Sequence, residues 1–391
     1  MKEKQKLNIV MFNMSKYSDW QKGIANRNYH VLHSLARNNH INKIIAVDFL
    51  PFNFKRALKT YIGDQVLRDT QGTIIYGDLT SRCWQVSSKI LVYSTIDTIL
   101  NKSKIISELN RIITDQNMKN NLIIWNYNPL YIDYFDNQLN QVLNIFDAVD
   151  DWLNHSSYKK FQNILKNNYE TIKRKSNLIF TVSQSLKKEL FENINKVHWL
   201  PNAVNLKHFQ SETNIHPKLN NITNPIIGFL GILQDRLDTN ILLKLAENNP
   251  GKSIVLAGPC WPNFPKKDFK KFKNIHFLGP INHREIPMLY NGFDVGIIPY
   301  KINKFIKSTD PMKFYEYLSA KLPIVSTNIP GLERFQGLIQ IAKTPEEFDH
   351  LVNRALTENK EKLSEEKINL LSTNTWNYRI SQMLKLIYEK L

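Results

Sequence analysis

The chain has 391 residues, 42% of them hydrophobic, and a formal net charge of +17 from 52 lysines and arginines against 35 aspartates and glutamates. This length exceeds what one hydrophobic core usually organises, so we expect two domains of roughly 150 to 200 residues. The two cysteines, Cys83 and Cys260, match neither a disulfide framework nor a zinc-ligand spacing. No uninterrupted apolar run approaches the ~18 residues that a membrane span needs.

The excess of positive charge predicts an anionic partner, which could be nucleic acid, anionic lipid or a phosphorylated small molecule. Alternatively, the composition, rich in lysine, asparagine and isoleucine, reflects genomic base composition. The first residues, MKEKQKLNIVMF, have a basic start but no small-residue cleavage site, so they do not resemble a signal peptide. We therefore expect a cytoplasmic location, either free in solution or peripheral at the inner membrane face.

Short β-rich runs alternate with amphipathic stretches over the first 150 residues. The runs are residues 7–12, 43–49, 72–77, 121–127 and 142–149. Between the first two runs, Tyr29, Leu32 and Leu35 recur at helical spacing. Alternating strands and helices predict an α/β domain with a mostly parallel sheet and helices on both faces.

A second series of strands and helices follows. Its apolar runs are residues 225–231, 253–259, 275–280, 294–300 and 323–327. Pro201 and Asn202 interrupt the stretch between the two series, so we place the domain boundary near Ala203. The expected domains are residues 1–203 and 204–373. A C-terminal helix, 374–391, should follow and pack back on the first domain, because its apolar residues fall on one helix face.

The segment DPMKFYEYLSAKLPIVST, residues 310–327, combines a helix start with an unusual carboxylate. Asp310 is a good N-cap and Pro311 suits the first helical position, so a helix should begin at Pro311. Its free N–H groups and dipole favour an anion such as a diphosphate, and Lys313 adds a positive charge. Glu316 leans back toward this end and could accept hydrogen bonds from the vicinal diol of a ribose.

Lys313 and Glu316 could instead be ordinary solvated helix residues. The neighbours of Glu316 argue against this alternative, because an idle charge is rare among large apolar groups. These neighbours are Phe314, Tyr315, Tyr317 and Leu318.

Residues 275–331, which contain this segment, resemble the donor-binding half of GT-B glycosyltransferases of the retaining family 4, especially a teichuronic-acid-type subgroup. The shared pattern is Pro-x-Lys-x-(Tyr/Phe)-Glu-Tyr-Leu before a Pro-(Ile/Val)-Val strand. Four other blocks resemble the family in the same order along the chain. They are IFDAVDDW with LIFTVSQSLKKEL, LPNAVN, PIIGFLGILQDRLDTNILLKLA and VLAGP. A weaker match covers DWQKGIANRNYHVLHSLARN near the start.

The resemblance implies a GT-B fold, in which two Rossmann-like doubly wound domains face a central cleft. It also implies a metal-independent hexosyltransferase without a cofactor, which takes a sugar from a nucleoside-diphosphate sugar in the second domain. The acceptor, bound by the first domain, would be a glycan or lipid-linked glycan of bacterial cell-surface polysaccharide assembly. Retention of configuration comes from the resemblance alone.

The same resemblance assigns candidate site residues in the second domain. Lys313 and Arg236 would stabilise the leaving diphosphate. The donor-binding residues would be Glu316, Ser308, Thr309, Asp310, Pro311, Gly231, Gly258 and Ile281. Family members commonly carry two glutamates, and Glu316 matches the second. Ser308 stands eight positions earlier, so Ser308, Thr309 or backbone amides would read the donor sugar in place of the first glutamate.

In the first domain, Asp150 lies in an acidic cluster with Asp147 and Asp151 after a strand, where open α/β sheets bind ligands. Asp150 would orient the sugar or the acceptor hydroxyl, unless Asp147 or Asp150 merely caps the next helix. The acceptor-side candidates are Gly23, Arg27 and His30, although His30 could equally be a packed helix histidine. No metal-ligand, P-loop or serine-hydrolase motif is present, so no metal site is expected.

A basic helix predicted within residues 156–177 has an apolar stripe, Tyr158, Phe161, Leu165, Tyr169 and Ile172, opposite several lysines. It could lie on an anionic membrane, or be a surface helix whose stripe packs on the core. Two rival functions remain: a sugar-nucleotide 2-epimerase of the same fold, and a non-catalytic protein that binds nucleotide sugar or nucleic acid. Nucleic acid is not expected, because no recognition motif for it occurs.

Overall fold

The computed structural model describes residues 5–21, 23–48, 50, 54–66, 70–97, 101–210, 214–357 and 365–391. The chain divides into two compact units. The first contains Met1–Val182, Leu186–Leu200 and Ile380–Leu391, and the second contains Ser183–Ser185 and Pro201–Arg379. The last helix therefore returns the chain to the first unit, where the Tyr388 hydroxyl donates to the Gln5 carbonyl at 3.0 Å.

The described part of the first unit forms a nine-stranded sheet in the order β3-β4-β5-β2-β1-β6-β7-β8-β9. Its strands are β1 Leu7–Phe12, β2 Ile41–Val47, β3 Thr73–Gly77, β4 Ser81–Gln85, β5 Ile90–Thr95, β6 Leu122–Asn126, β7 Leu143–Ala148, β8 Leu178–Thr181 and β9 Val197–Trp199. The strands pair in parallel, except that β4 is antiparallel to both β3 and β5. The prediction of a mostly parallel sheet is confirmed, but the β3–β4 hairpin was not predicted.

The described part of the second unit forms a six-stranded sheet, β12-β11-β10-β13-β14-β15, whose strand pairs are all parallel. Its strands are β10 Ile226–Leu230, β11 Ser253–Ala257, β12 Ile275–Gly279, β13 Val295–Ile298, β14 Ile324–Thr327 and β15 Gln340–Ala342. The first five coincide with the five predicted apolar runs. β15 was not predicted, because three residues are too few to show a pattern.

The helices are α1 Tyr17–Gln21, α2 Arg27–Arg37, α3 Phe54–Thr60, α4 Lys102–Asp115, α5 Gln162–Lys175, α6 Gln184–Phe191, α7 Leu206–Gln210, α8 Thr239–Asn248, α9 Ile286–Asn291, α10 Lys304–Lys307, α11 Met312–Ser319, α12 Pro345–Ala355, α13 Glu365–Thr373 and α14 Trp376–Tyr388. A π-helical stretch, Tyr61–Val66, continues α3. Short 3-10 turns complete the connections, including Lys266–Phe269 and His283–Glu285. No helix of the described residues is both long enough and apolar enough to cross a membrane.

Successive side chains of β10 and β11 point to opposite faces of the second sheet, and each face has its own core. On one face Ile226 and Leu230 pack in the cluster that contains residues of α9 and α11. On the other face Ile227 and Phe229 pack with residues of α8 and α12. Helices cover both faces of this parallel sheet, and burial on both faces explains why its strands read as continuous apolar runs.

Helix α5 decides between the two alternatives for its apolar stripe. Three residues of its predicted apolar stripe, Leu165, Tyr169 and Ile172, are buried in the first unit. These three residues are therefore core, as predicted by the alternative of a surface helix whose stripe packs on the core, and the membrane-facing alternative is wrong for them. The opposite face is exposed and basic, with Lys166 and Arg174, and it also carries Ile164, which is 52% exposed.

The two cysteines should differ sharply in reactivity, because the thiolate is the species that attacks alkylating reagents. Cys83 is buried in β4, and burial raises the pKa of its thiol to about 12. Cys260 is exposed. We expect the folded protein to take up one equivalent of iodoacetamide, and mass spectrometry of peptides should locate it on Cys260.

The matched control is Cys260→Ser, which should remain unlabelled until denaturant is added and then take up one equivalent at Cys83. Rapid labelling of Cys83 in the folded protein would contradict the placement of β4 in the core.

Candidate functional site

The carboxyl edge of the second sheet gathers the residues of the candidate site. Helix α11 starts at Met312, one residue later than predicted, and its N-cap is Pro311, with φ −67° and ψ 113°. Asp310 is therefore one position too early to cap the helix, and this prediction is wrong. Pro311 is extended, and no side-chain hydrogen bond caps the helix.

The Asp310 side chain instead belongs to a buried network that fixes the entry to α11. Its carboxylate accepts from the Asn202 backbone N–H at 2.7 Å and from Arg334 Nη2 at 3.0 Å. The Tyr315 hydroxyl lies 3.2 Å from both carboxylate oxygens. The Asn202 side-chain amide donates to the Asp310 carbonyl at 2.7 Å. Asp310 thus has a structural role at this position that does not depend on a ligand.

The first turn of α11 has free donors. Phe314 N–H bonds to the Pro311 carbonyl at 3.2 Å, while the N–H groups of Met312 and Lys313 bond to no acceptor within the described residues. Pro311 has no N–H to offer. Two unpaired backbone donors at the positive end of a helix dipole are suited to an anion.

Ser308 and Thr309 close the preceding helix α10 with their side chains. The Ser308 hydroxyl donates to the Phe305 carbonyl and the Thr309 hydroxyl to the Ile306 carbonyl, each at 2.8 Å. Ser308 is fully buried, and its own carbonyl accepts from the Ser183 hydroxyl at 2.6 Å. In this structure both hydroxyl hydrogens are engaged, and only Thr309 is partly exposed.

Glu316 is a buried, paired carboxylate and not a solvated surface residue. Its Oε2 atom lies 2.7 Å from Lys313 Nζ and 2.7 Å from the Tyr290 hydroxyl. Burial alone would raise the pKa of Glu316, but the charge and hydrogen bond of Lys313 and the hydrogen bond of Tyr290 hold that pKa below its usual value. Glu316 is therefore ionised at neutral pH.

Lys313 was expected to present its charge to a diphosphate. In this structure its ammonium group is committed to Glu316, and the side chains of the pair are 18% and 8% exposed, respectively. The two residues that the sequence assigned to the two ends of a nucleotide are therefore paired with each other.

Two histidines lie beside Glu316, and sequence analysis did not select them. The rings of His208 and His283 stack at 4.5 Å with an interplanar angle of 2°. His208 Nε2 donates to the His283 carbonyl at 2.9 Å. Burial lowers the pKa of His208, although this hydrogen bond and the Glu316 charge act in the opposite direction. No local sequence signal marks either residue, because both lie far from Glu316 in the chain. His208 is on α7, about 100 positions before α11.

The loops after β10 and β11 approach each other closely. A Cβ atom on Gly258, whose φ is +122°, would lie 2.0 Å from the Gly231 carbonyl oxygen. Gly231 N–H bonds to the Ala257 carbonyl at 3.0 Å, and Gly258 N–H to the Gly279 carbonyl at 2.8 Å. This packing explains Gly258, whereas a Cβ atom on Gly231 would lie 2.9 Å from the Phe229 ring. The Ile281 side chain is buried, so only its backbone can face a ligand.

Arg236 follows β10 on the same edge. With the Gln234 amide oriented so that its oxygen accepts, Arg236 Nε and Nη2 each lie 2.5 Å from that oxygen. The guanidinium group also lies 5.9 Å from the centroid of the Phe305 ring. Arg236 pairs with no carboxylate within the described residues. It is thus a positioned cation whose charge is not neutralised by an acidic side chain.

In the first unit, Arg27 and Asp147 form a buried ion pair between the start of α2 and β7. Arg27 Nε lies 3.1 Å from each Asp147 oxygen. Asp147 is therefore a partner of Arg27 and does not cap a helix. Asp151 accepts the N–H groups of Leu153 and Asn154 at 3.1 and 3.2 Å, so it stabilises a turn.

The remaining first-unit candidates have simpler surroundings. Asp150 is half-buried next to this turn. His30 is buried on α2, 5.0 Å from the Tyr29 ring, as expected for a packed helix histidine. Gly23 takes a φ of 98° in the turn after α1, a conformation that favours glycine. Among the residues that the structure places, no His, Cys, Asp and Glu side chains cluster as metal ligands.

The fold has many solved counterparts. Sucrose-phosphate synthase from Thermosynechococcus elongatus superposes with a TM-score of 0.73 at 12% identity, covering 98% of this chain and 99% of that one. HepE of Anabaena, solved with UDP and glucose, gives 0.64 at 13% identity, covering 97% and 99%. Trehalose 6-phosphate synthase from Burkholderia multivorans gives 0.66 at 8% identity, covering 98% of each. The chain therefore has the GT-B fold, as the resemblance predicted.

Sequence comparison gives a more particular likeness. Residues 236–385 match a family model described as "Glycosyl transferase-like". A teichuronic acid biosynthesis glycosyltransferase named TuaH, from Bacillus subtilis (strain 168), is 26% identical over 207 residues. That match covers 51% of this chain and 52% of the relative, so the similarity spans about half of the curated relative's length.

The Lys313–Glu316 pair generates a stability prediction. Lys313→Ala should leave the Glu316 charge buried with one partner and destabilise the second unit by about 3 kcal/mol, the low end for such a loss because Lys313 is partly exposed. Urea unfolding, monitored by near-UV circular dichroism, measures this change in the free energy of unfolding.

Lys313→Met combined with Glu316→Gln removes both charges, and it should retain most of the stability that Lys313→Ala loses. Lys267→Ala, at an exposed position on a 3-10 turn, is the control for loss of a lysine. Equal effects of Lys313→Ala and Lys267→Ala would show that the pair contributes nothing.

Proposed function

We propose that the protein is a glycosyltransferase that moves a sugar from a nucleoside-diphosphate sugar to a glycan or lipid-linked acceptor. One observation carries the proposal. The first turn of α11 combines two backbone N–H groups, unpaired within the described residues, with a lysine that is paired to a buried glutamate. A nucleoside diphosphate offers phosphates to the donors and to Lys313, and a ribose diol to Glu316. The family model and the likeness to TuaH support this proposal.

The reaction needs stabilisation of a leaving diphosphate. The bond between the sugar C1 and the β-phosphate oxygen breaks, and negative charge grows on that phosphate. Lys313, Arg236 and the N–H groups of Met312 and Lys313 would oppose the charge where it develops, without requiring a metal ion. The acceptor hydroxyl would attack C1 from the side of the leaving group and pass its proton to the β-phosphate, which retains the configuration.

The first unit would bind the acceptor. Arg27 and Asp147 are paired there, so their contribution is to fix the start of α2, and Asp150 is the carboxylate that we assign to the acceptor hydroxyl. The name of TuaH supports a role in assembly of a cell-surface polysaccharide. Peripheral contact with an anionic membrane, if made, would use the exposed basic face of α5 and not its buried stripe.

The first test is nucleotide binding. We expect one of UDP, GDP, ADP, dTDP and CMP to raise the melting temperature of the wild type, because a ligand that binds only the folded state stabilises it by about 2.7 kcal/mol at 100 times its Kd. Glu316→Gln should lose this response, and Lys267→Ala should keep it. Differential scanning fluorimetry measures both.

Transfer is tested next with the sugar nucleotide of the base so identified. Release of the nucleoside diphosphate from the donor should require an extract that contains the acceptor. The Lys313→Met variant should lose this release activity but still bind the nucleotide. Consumption of the donor without any acceptor would favour the epimerase. If no nucleotide stabilises the wild type while RNA binds in a salt-sensitive way, the transferase proposal fails.

A further inference from the structure

Tyr290 on helix α9 is fully buried and held on several sides by aromatic rings. Its ring lies parallel to that of Phe209 at 5.7 Å, and edge-on to that of Tyr317 at 5.1 Å. Phe293 lies at 5.9 Å. The ring therefore cannot turn away, and its hydroxyl has a fixed position 2.7 Å from Glu316 Oε2.

Both hydrogen bonds of the Glu316 carboxylate fall on the same oxygen. Lys313 and Tyr290 each donate to Oε2, whereas Oε1 has no hydrogen-bond partner among the described residues. Oε1 is not among the buried polar atoms that lack a partner, and the Glu316 side chain is 8% exposed, so a ligand hydroxyl can reach this oxygen. The geometry thus separates an oxygen that is held in place from an oxygen that is open to a ligand.

Binding of a diphosphate would change which hydrogen bonds Glu316 Oε2 accepts. A ligand phosphate at the start of α11 would compete with Glu316 for the Lys313 ammonium. Lys313 lies three residues before Glu316, in the first turn of the helix. When Lys313 turns to the phosphate, the Tyr290 hydroxyl is the partner that remains. Burial and the neighbouring Glu316 charge raise the pKa of Tyr290 well above its usual value, so this hydroxyl keeps its proton and stays a donor.

We propose that Tyr290 is a positioning residue for the ribose: it holds Oε2 of Glu316 so that Oε1 accepts a hydrogen bond from a ribose hydroxyl. This inference rests on the proposed function and adds to that function the class of donor. The donors are ribonucleoside-diphosphate sugars, and 2′-deoxyribonucleotide donors such as dTDP-sugars are discriminated against.

The test measures Kd by isothermal titration calorimetry for the best nucleoside diphosphate of the panel and for its 2′-deoxy and 3′-deoxy counterparts. A hydrogen bond to a charged group contributes enough for about a 10- to 100-fold preference. The wild type should therefore bind the ribonucleotide more tightly than its 2′-deoxy form by this factor. Tyr290→Phe, which keeps the ring, should reduce the preference to less than about threefold and raise KM far more than it lowers kcat.

Tyr317→Phe is the matched control. Tyr317 is equally buried in the same aromatic cluster, and its hydroxyl accepts the Leu230 N–H at 3.3 Å without contacting Glu316. It should keep the wild-type preference for ribose. If Tyr290→Phe does not fold, Tyr290→Leu provides a second variant without the hydroxyl.

The outcomes separate the two proposals. An undiminished ribose preference in the Tyr290 variants, or an equal loss in Tyr317→Phe, overturns the positioning role and leaves the transferase proposal standing. A wild type that binds nucleotides without any ribose preference does the same. If no nucleoside diphosphate binds the wild type, both proposals fail together.

Discussion

Parallel strand pairing is the constraint on which the second unit depends. Each parallel strand must be followed by a connection that returns to the amino end of the sheet, so every strand's outgoing loop emerges at the carboxyl edge. Gly231 and Arg236 after β10, Gly258 after β11, Ile281 after β12 and α11 beyond β13 therefore share one edge. Residues more than 80 positions apart in the chain become neighbours by topology alone.

At this edge the charged groups are fixed by partners of different kinds. Asp310 is held by Asn202, Arg334 and Tyr315, and this network fixes where α11 begins. Glu316, less than two turns further on, is held by Lys313 and Tyr290. One carboxylate thus stabilises the entry to the helix and the other faces the region that we assign to the nucleotide. Their similar positions in sequence conceal these different roles.

Sequence reasoning succeeded where the signal was local and periodic. The first five strands of the second unit were predicted because burial on both faces makes each an apolar run, and Glu316 was singled out by its large apolar neighbours. It failed where tertiary contacts decide. The sequence suggested Asp310 as a helix cap, but its carboxylate bonds to Arg334 and Asn202 instead. The apolar stripe on α5 does not by itself indicate whether protein core or lipid covers it. Tyr290 was missed because its partner lies 26 positions away on another helix.

The pairing of Lys313 with Glu316 also bears on which anions the site would reject. A cation that is already neutralised by its neighbour attracts passing phosphate weakly. Orthophosphate or a polyphosphate could draw Lys313 away, but it would bring no hydroxyl group to Glu316 and would leave that carboxylate buried with a single donor. A nucleotide would compensate both halves of the pair at once. The site would thus select ligands that bring both a phosphate and a hydroxyl group, because charge alone would not be sufficient for binding.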